Sequence, residues 1–150
     1  MLREDLQNAL KEAMKAHDMA TVAAVRLIIA GQKEKDVEAR GKGQKEASDA
    51  DLMSMMQTMI KQRKESLEIY ENAGRSELAA KEKGEIDVIE RFLPKQMSDD
   101  EIVAAIKEIV AKTGAQSMKD MGKVMGALRA EYAGQMDFGK ASGLIKTILG

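Results

Sequence analysis

Lys119, Gly122, Lys123 and Gly126 recur at three- and four-residue spacing within residues 118–129. On a helix, that spacing puts two lysines and two glycines on one face. Glycine inside a helix costs roughly 1 kcal/mol against alanine, so two of them four apart imply that something comes close to the backbone. Two occupants fit: a neighbouring helix, or a phosphate backbone seated between Lys119 and Lys123. The Met118, Met121, Met125 and Leu128 stripe faces inward and leaves the lysine face outside. Arg129, Lys140 and Lys146 bring the candidate RNA-binding cations in this part of the chain to five. With few aromatics to stack bases, recognition there would be of shape and backbone rather than of sequence.

A second group of charges breaks an apolar stripe. Arg63 falls between Met59 and Leu67, and Glu82 falls between Ala79 and Ile86. A tight turn joins the two helices, so they run antiparallel and face each other. Arg63 is therefore expected to pair with Glu82, or with Glu85 one turn away, inside or at the edge of a bundle. Such a pair fixes helix register, and losing one partner costs about 3–5 kcal/mol when the pair is fully buried.

The remaining chemistry is sparse. Cysteine is absent, which excludes disulfides, thiolate nucleophiles, iron–sulfur clusters and thiolate zinc sites. The single histidine, His17, ends the first helix on its apolar side, a capping or packing position rather than a catalytic one. No metal site, cofactor or catalytic residue is expected. Of the 12 methionines, seven cluster at residues 53–59 and 118–125. They read as an adaptable core, whereas a helix-binding groove would require them to be exposed to solvent.

These groups need elements to hold them, and composition names the elements. The chain has 150 residues, 44% apolar, 3% aromatic, no Trp and one Pro. Ala, Lys, Glu, Met and Leu favour helices, so the fold is expected to be all-α and a β-sandwich is excluded. No apolar run approaches the roughly 18 residues that cross a bilayer, and the first ten residues carry the charges of Arg3, Glu4 and Asp5. A soluble, cytoplasmic protein without a membrane partner is the expectation. The formal net charge is −1. Residues 95–150 hold 8 Lys/Arg and 7 Asp/Glu, a net of +1, against 16 and 18 in residues 1–94, a net of −2.

Apolar periodicity predicts a helix over 2–17, then a second one capped by Asp18, with 38–45 read as the longest mobile loop. Asp49 or Asp51 caps a third helix ended by Gly74, and Ser76 caps a fourth that Pro94 stops. Ser98 and Glu101 form a capping box for a fifth helix closed by Gly114. A sixth begins at Ser117 and a seventh is capped by Asp137. The organisation is a four-helix bundle-like domain over 1–94 and a small three-helix domain over 95–150.

Several segments together carry a family resemblance over essentially the whole chain. They are Gln62–Arg63 with Glu65–Ser66, then Ala73–Gly74–Arg75 followed by Leu78–Ala79, and Phe92–Leu93–Pro94 followed by Gln96–Met97–Ser98, with residues 120–125 after them. In this order they resemble the GatB/YqeY family. The resemblance implies a C-terminal domain similar to the tail of GatB, the part of the tRNA-dependent amidotransferase that contacts tRNA. It also implies an association with carbon–nitrogen ligase activity that uses glutamine as amido donor. A chain of 150 residues has no room for the GatB catalytic domain and carries no P-loop. The implied role is thus a non-catalytic module that docks on tRNA or on a tRNA-handling enzyme. The alternatives are an accessory subunit active only within an amidotransferase complex, and an interaction adaptor that does not use RNA. The sequence leaves the oligomeric state open.

Overall fold

The computed structural model describes residues 1–150 and contains seven α-helices and no strand, the all-α fold that composition predicts. They are α1 Leu2–Lys15, α2 Met19–Gly41, α3 Asp49–Asn72, α4 Ser76–Glu90, α5 Asp99–Thr113, α6 Met121–Glu131 and α7 Phe138–Leu149. A 3₁₀ turn, Met118–Asp120, leads into α6. The chain divides into two compact units, Met1–Pro94 and Lys95–Gly150, each with its own apolar core. No helix is long and apolar enough to cross a membrane.

In the first unit, Leu6, Val25, Ile28, Leu52, Met56 and Ile89 close the core, all but excluded from water. The Asp18 carboxylate accepts from the Thr21 N–H and hydroxyl and caps α2. His17 is exposed and left-handed, at φ 55°, so its backbone makes the corner after α1. The expected loop over 38–45 is shorter than predicted: α2 runs on to Gly41. Ser48 caps α3 in a capping box with Asp51, in place of Asp49 or Asp51 as the cap. Gly74, at φ 71°, turns the chain between α3 and α4, and the Arg75 N–H closes the turn on the Tyr70 carbonyl at 2.8 Å. Arg75, with no side-chain cap, precedes α4, so Ser76 is the first helical residue and not its cap. Helix α4 ends at Glu90, before Pro94, because residues 91–93 tighten into bonds from each N–H to the carbonyl three residues back.

In the second unit, Ser98 and Glu101 form the expected capping box on α5, and Gly114 ends it at φ 69°. Ile102, Ile106, Ile109, Val124, Leu128, Met136, Ala141 and Ile145 form the core. Gln96 Nε2 donates to the Gly134 carbonyl at 2.6 Å and the Met97 N–H to the Gln135 carbonyl at 2.7 Å, tying the incoming chain to the α6–α7 corner. Asp137 caps α7 by accepting from the Gly139 and Lys140 N–H groups. The 3₁₀ turn takes Met118 out of the α-helical stripe, and it is 42% exposed.

Candidate nucleic-acid interface

All five predicted cations lie on the exposed surface of the second unit: Lys119 on the turn before α6, Lys123 and Arg129 on α6, Lys140 and Lys146 on α7. Helix α6 buries Val124, Met125 and Leu128 and turns Gly122, Lys123, Gly126, Arg129 and Ala130 to solvent. A Cβ added at Gly122 or Gly126 would meet nothing within 4 Å. The two glycines therefore do not make room for a neighbouring helix of this chain. They leave a strip of helix backbone uncovered between cations.

The five cations differ in what else they do. Lys123 Nζ donates to the Thr113 carbonyl at 3.2 Å, satisfying an orphan acceptor at the end of α5. The Arg129 guanidinium sits 5.8 Å from the centre of the Phe138 ring, within cation–π range. Lys140 pairs with Asp99 at 2.7 Å, and that hydrogen bond raises its pKa. Lys119 and Lys146 enter no ion pair and no side-chain hydrogen bond. Asp120, which feels Lys123 through its field, accepts from the Gln116 N–H at 3.0 Å, a bond that lowers its pKa.

The structure brings Arg63 to Glu85: Nε donates to the carboxylate at 2.9 Å, with the two side chains 16% and 15% exposed. Arg63 Nη1 also donates to the Met59 carbonyl at 3.3 Å. Glu82, half-buried, stands outside the pair. Of the first methionine cluster, Met55 and Met56 are core while Met53 and Met59 pack partly against it. A groove of about 660 Å³ runs between α2 and α3, floored by Leu27, Ala30, Gly31, Met55 and Met59. The Met55 side chain lies over Gly31 there, where an added Cβ would be 2.7 Å from Met55 Sδ. No group of three or more His, Asp or Glu is placed to hold a metal ion.

One polar node went unforeseen. Arg3 Nη1 and Nη2 donate to both oxygens of Asp36, at 2.8 and 2.6 Å, and Nη2 also donates to the Ala47 carbonyl at 2.7 Å. The Ala47 N–H donates back to Asp36 at 2.9 Å. Asp36 is 8% exposed. The Arg3 hydrogen bonds, helped by the Ala47 N–H and opposed by burial, hold its pKa at about 2. The sequence carried a signal: Asp36 lies seven residues past Ile29, on the buried stripe of α2, where a carboxylate needs a partner.

A family model described as Yqey-like protein matches residues 3–149. Among curated proteins, the chain is similar to Altered inheritance of mitochondria protein 41, mitochondrial, of Saccharomyces cerevisiae. The two are 27% identical over 128 residues, which cover 82% of this chain and 68% of the relative. Its namesake in Lachancea thermotolerans is 33% identical over 110 residues, 72% of this chain and 57% of the relative. These relatives are named as mitochondrial proteins, which overturns the cytoplasmic assignment. That assignment rested on a charged N-terminus and a missing apolar span, features that a soluble protein inside an organelle shares.

Proposed function

Because the chain belongs to the YqeY-like family, we propose that it is a non-catalytic module that docks on the phosphate backbone of tRNA, or on a tRNA-handling enzyme, through its second unit. The observation that carries this reading is the outer face of α6, where Gly122 and Gly126 leave the backbone open beside Lys123 and Arg129, all exposed. A strand can approach such a face closely, and cations along it replace condensed counterions without reading bases. The resemblance to the GatB tail supplies the choice of tRNA among polyanions. Lys119 and Lys146 are free to meet phosphates at once, Lys123 and Arg129 meet them while keeping their present partners, and Lys140 must first release Asp99.

A filter-binding titration with tRNA across salt concentrations tests the reading. Replacing Lys119 and Lys123 together by alanine is expected to weaken binding and to lower the salt slope by roughly 1 for each lost contact. Binding unchanged in that variant refutes the α6 assignment. Glutaminase or amidotransferase activity in the purified chain refutes the non-catalytic one.

A further inference from the structure

The carboxylates between residues 36 and 46 are all engaged within the chain, whereas the cations that follow Glu38 are not. Asp36 is held by Arg3 and the Ala47 N–H, Glu38 by Lys35 at 3.1 Å, and Glu46 by Arg3 at 3.6 Å. Arg40, Lys42 and Lys45 are exposed and enter no ion pair or side-chain hydrogen bond, Arg40 reaching Asp36 only through its field. With Arg3 and Lys35, five cations stand against three anions, a local net of +2. The next acids, Asp49 and Asp51, belong to the first turn of α3, whose dipole favours them.

The segment is also presented in a fixed shape. Ala39 and Ala47, at its two ends, are buried, and the Gln44 and Gly43 N–H groups close on the Ala39 and Arg40 carbonyls at 2.9 and 3.0 Å. The Arg3–Asp36–Ala47 node clamps the far end. Gly41 and Gly43 leave its backbone open, with nothing within 4 Å of an added Cβ, and Gly43 takes φ 82°. Its sequence from 40 to 46, Arg-Gly-Lys-Gly-Gln-Lys-Glu, offers no aromatic ring for base stacking and no apolar side chain to enter a bilayer. With Arg3 and Lys35 held by Asp36 and Glu38, the three unpaired cations fall short of the four to eight that make a lipid-binding polybasic cluster. What remains is sequence-independent attraction to a chain of phosphates.

We propose that residues 40–45 form a second nucleic-acid backbone contact, on the first unit, with Arg40, Lys42 and Lys45 as its cations. The inference rests on the reading of the chain as an RNA-docking protein, and it adds a contact that does not depend on α6.

The test is a salt-dependent titration of unfractionated tRNA with four forms of the full chain: intact, Lys42→Ala/Lys45→Ala, Lys119→Ala/Lys123→Ala, and all four changes together. The loop variant is expected to lose about 2 from the salt slope, roughly 1 for each lysine, with an unchanged unfolding midpoint because both side chains are exposed. A loop variant that binds like the intact chain, beside a weakened α6 variant, overturns this proposal and leaves the α6 reading standing. The reverse pattern overturns the α6 reading and keeps the loop. No binding by the intact chain overturns both. A loop variant that detaches from phosphatidylglycerol vesicles while binding tRNA normally also overturns the proposal, by assigning the loop to a lipid surface.

Discussion

Arg3 grips the carboxylate of Asp36 with both terminal guanidinium nitrogens across thirty-three positions of sequence, and the same guanidinium binds the Ala47 carbonyl. One side chain in the first turn of α1 thereby ties the last part of α2 to the chain that leads into α3. Arg3→Ala leaves Asp36 with the Ala47 N–H alone and is expected to cost about 2 kcal/mol. That is less than a fully buried pair would cost, because the Arg3 side chain is 23% exposed. Urea unfolding checks it.

The same node gives a pH dependence of known sign. The Asp36 pKa is held at about 2, below the usual 3.8, so folding favours its ionised form. Its stabilising contribution is complete above about pH 4 and is lost as pH falls through about 2. Asp36→Asn is expected to be less stable than the parent at pH 7 and to lose less than the parent does between pH 4 and pH 2. Urea midpoints at pH 7, 4 and 2 compare the two.

Arg63 meets Glu85 and leaves Glu82 aside, so the two glutamates separate by mutation. Glu85→Ala is expected to cost about 1–2 kcal/mol, Glu82→Ala about 0.5 or less, and a double-mutant cycle to show coupling only between Arg63 and Glu85. Equal losses at both glutamates refute the assignment.

Gly126 sits in the middle of α6 with open space where a side chain would go. Gly126→Ala is expected to stabilise the chain by about 0.5–1 kcal/mol through helix propensity. If a phosphate strand lies on this face, Gly126→Leu weakens tRNA binding while the protein stays folded. A thermal melt and a binding isotherm on the same samples separate the two effects.

Lys140 is held by Asp99, which would have to give way for Lys140 to meet a phosphate. Both side chains are more than half exposed, so Asp99→Asn is expected to leave the unfolding midpoint nearly unchanged. It is expected to tighten tRNA binding about two- to threefold at low salt, an advantage that fades as salt rises.

The helices themselves were legible in the sequence because their determinants are local. Asp18, Asp137 and the Ser98/Glu101 box each cap from within three residues, and the apolar stripes repeat every three or four. The α2–α3 connection was not legible, since the partners that shape it, Arg3, Asp36 and Ala47, are far apart in sequence. Glycine and charge in residues 40–45 suggested a long loop, yet α2 runs on to Gly41. The partner of Arg63 was narrowed to two glutamates one turn apart, a choice set by the packing of α3 on α4 rather than by spacing along either helix. On α6 the pattern identified the lysine and glycine face, but whether a neighbouring helix covers it depends on tertiary packing.

The apolar side chains close over two separate centres, with Leu6, Ile28 and Met56 in one and Ile106, Leu128 and Ile145 in the other. A volume change inside one centre is felt first by the side chains that close that same centre, so a substitution at Ile28 is expected to be compensated at a neighbour such as Met56, and one at Ile106 at a neighbour such as Leu128.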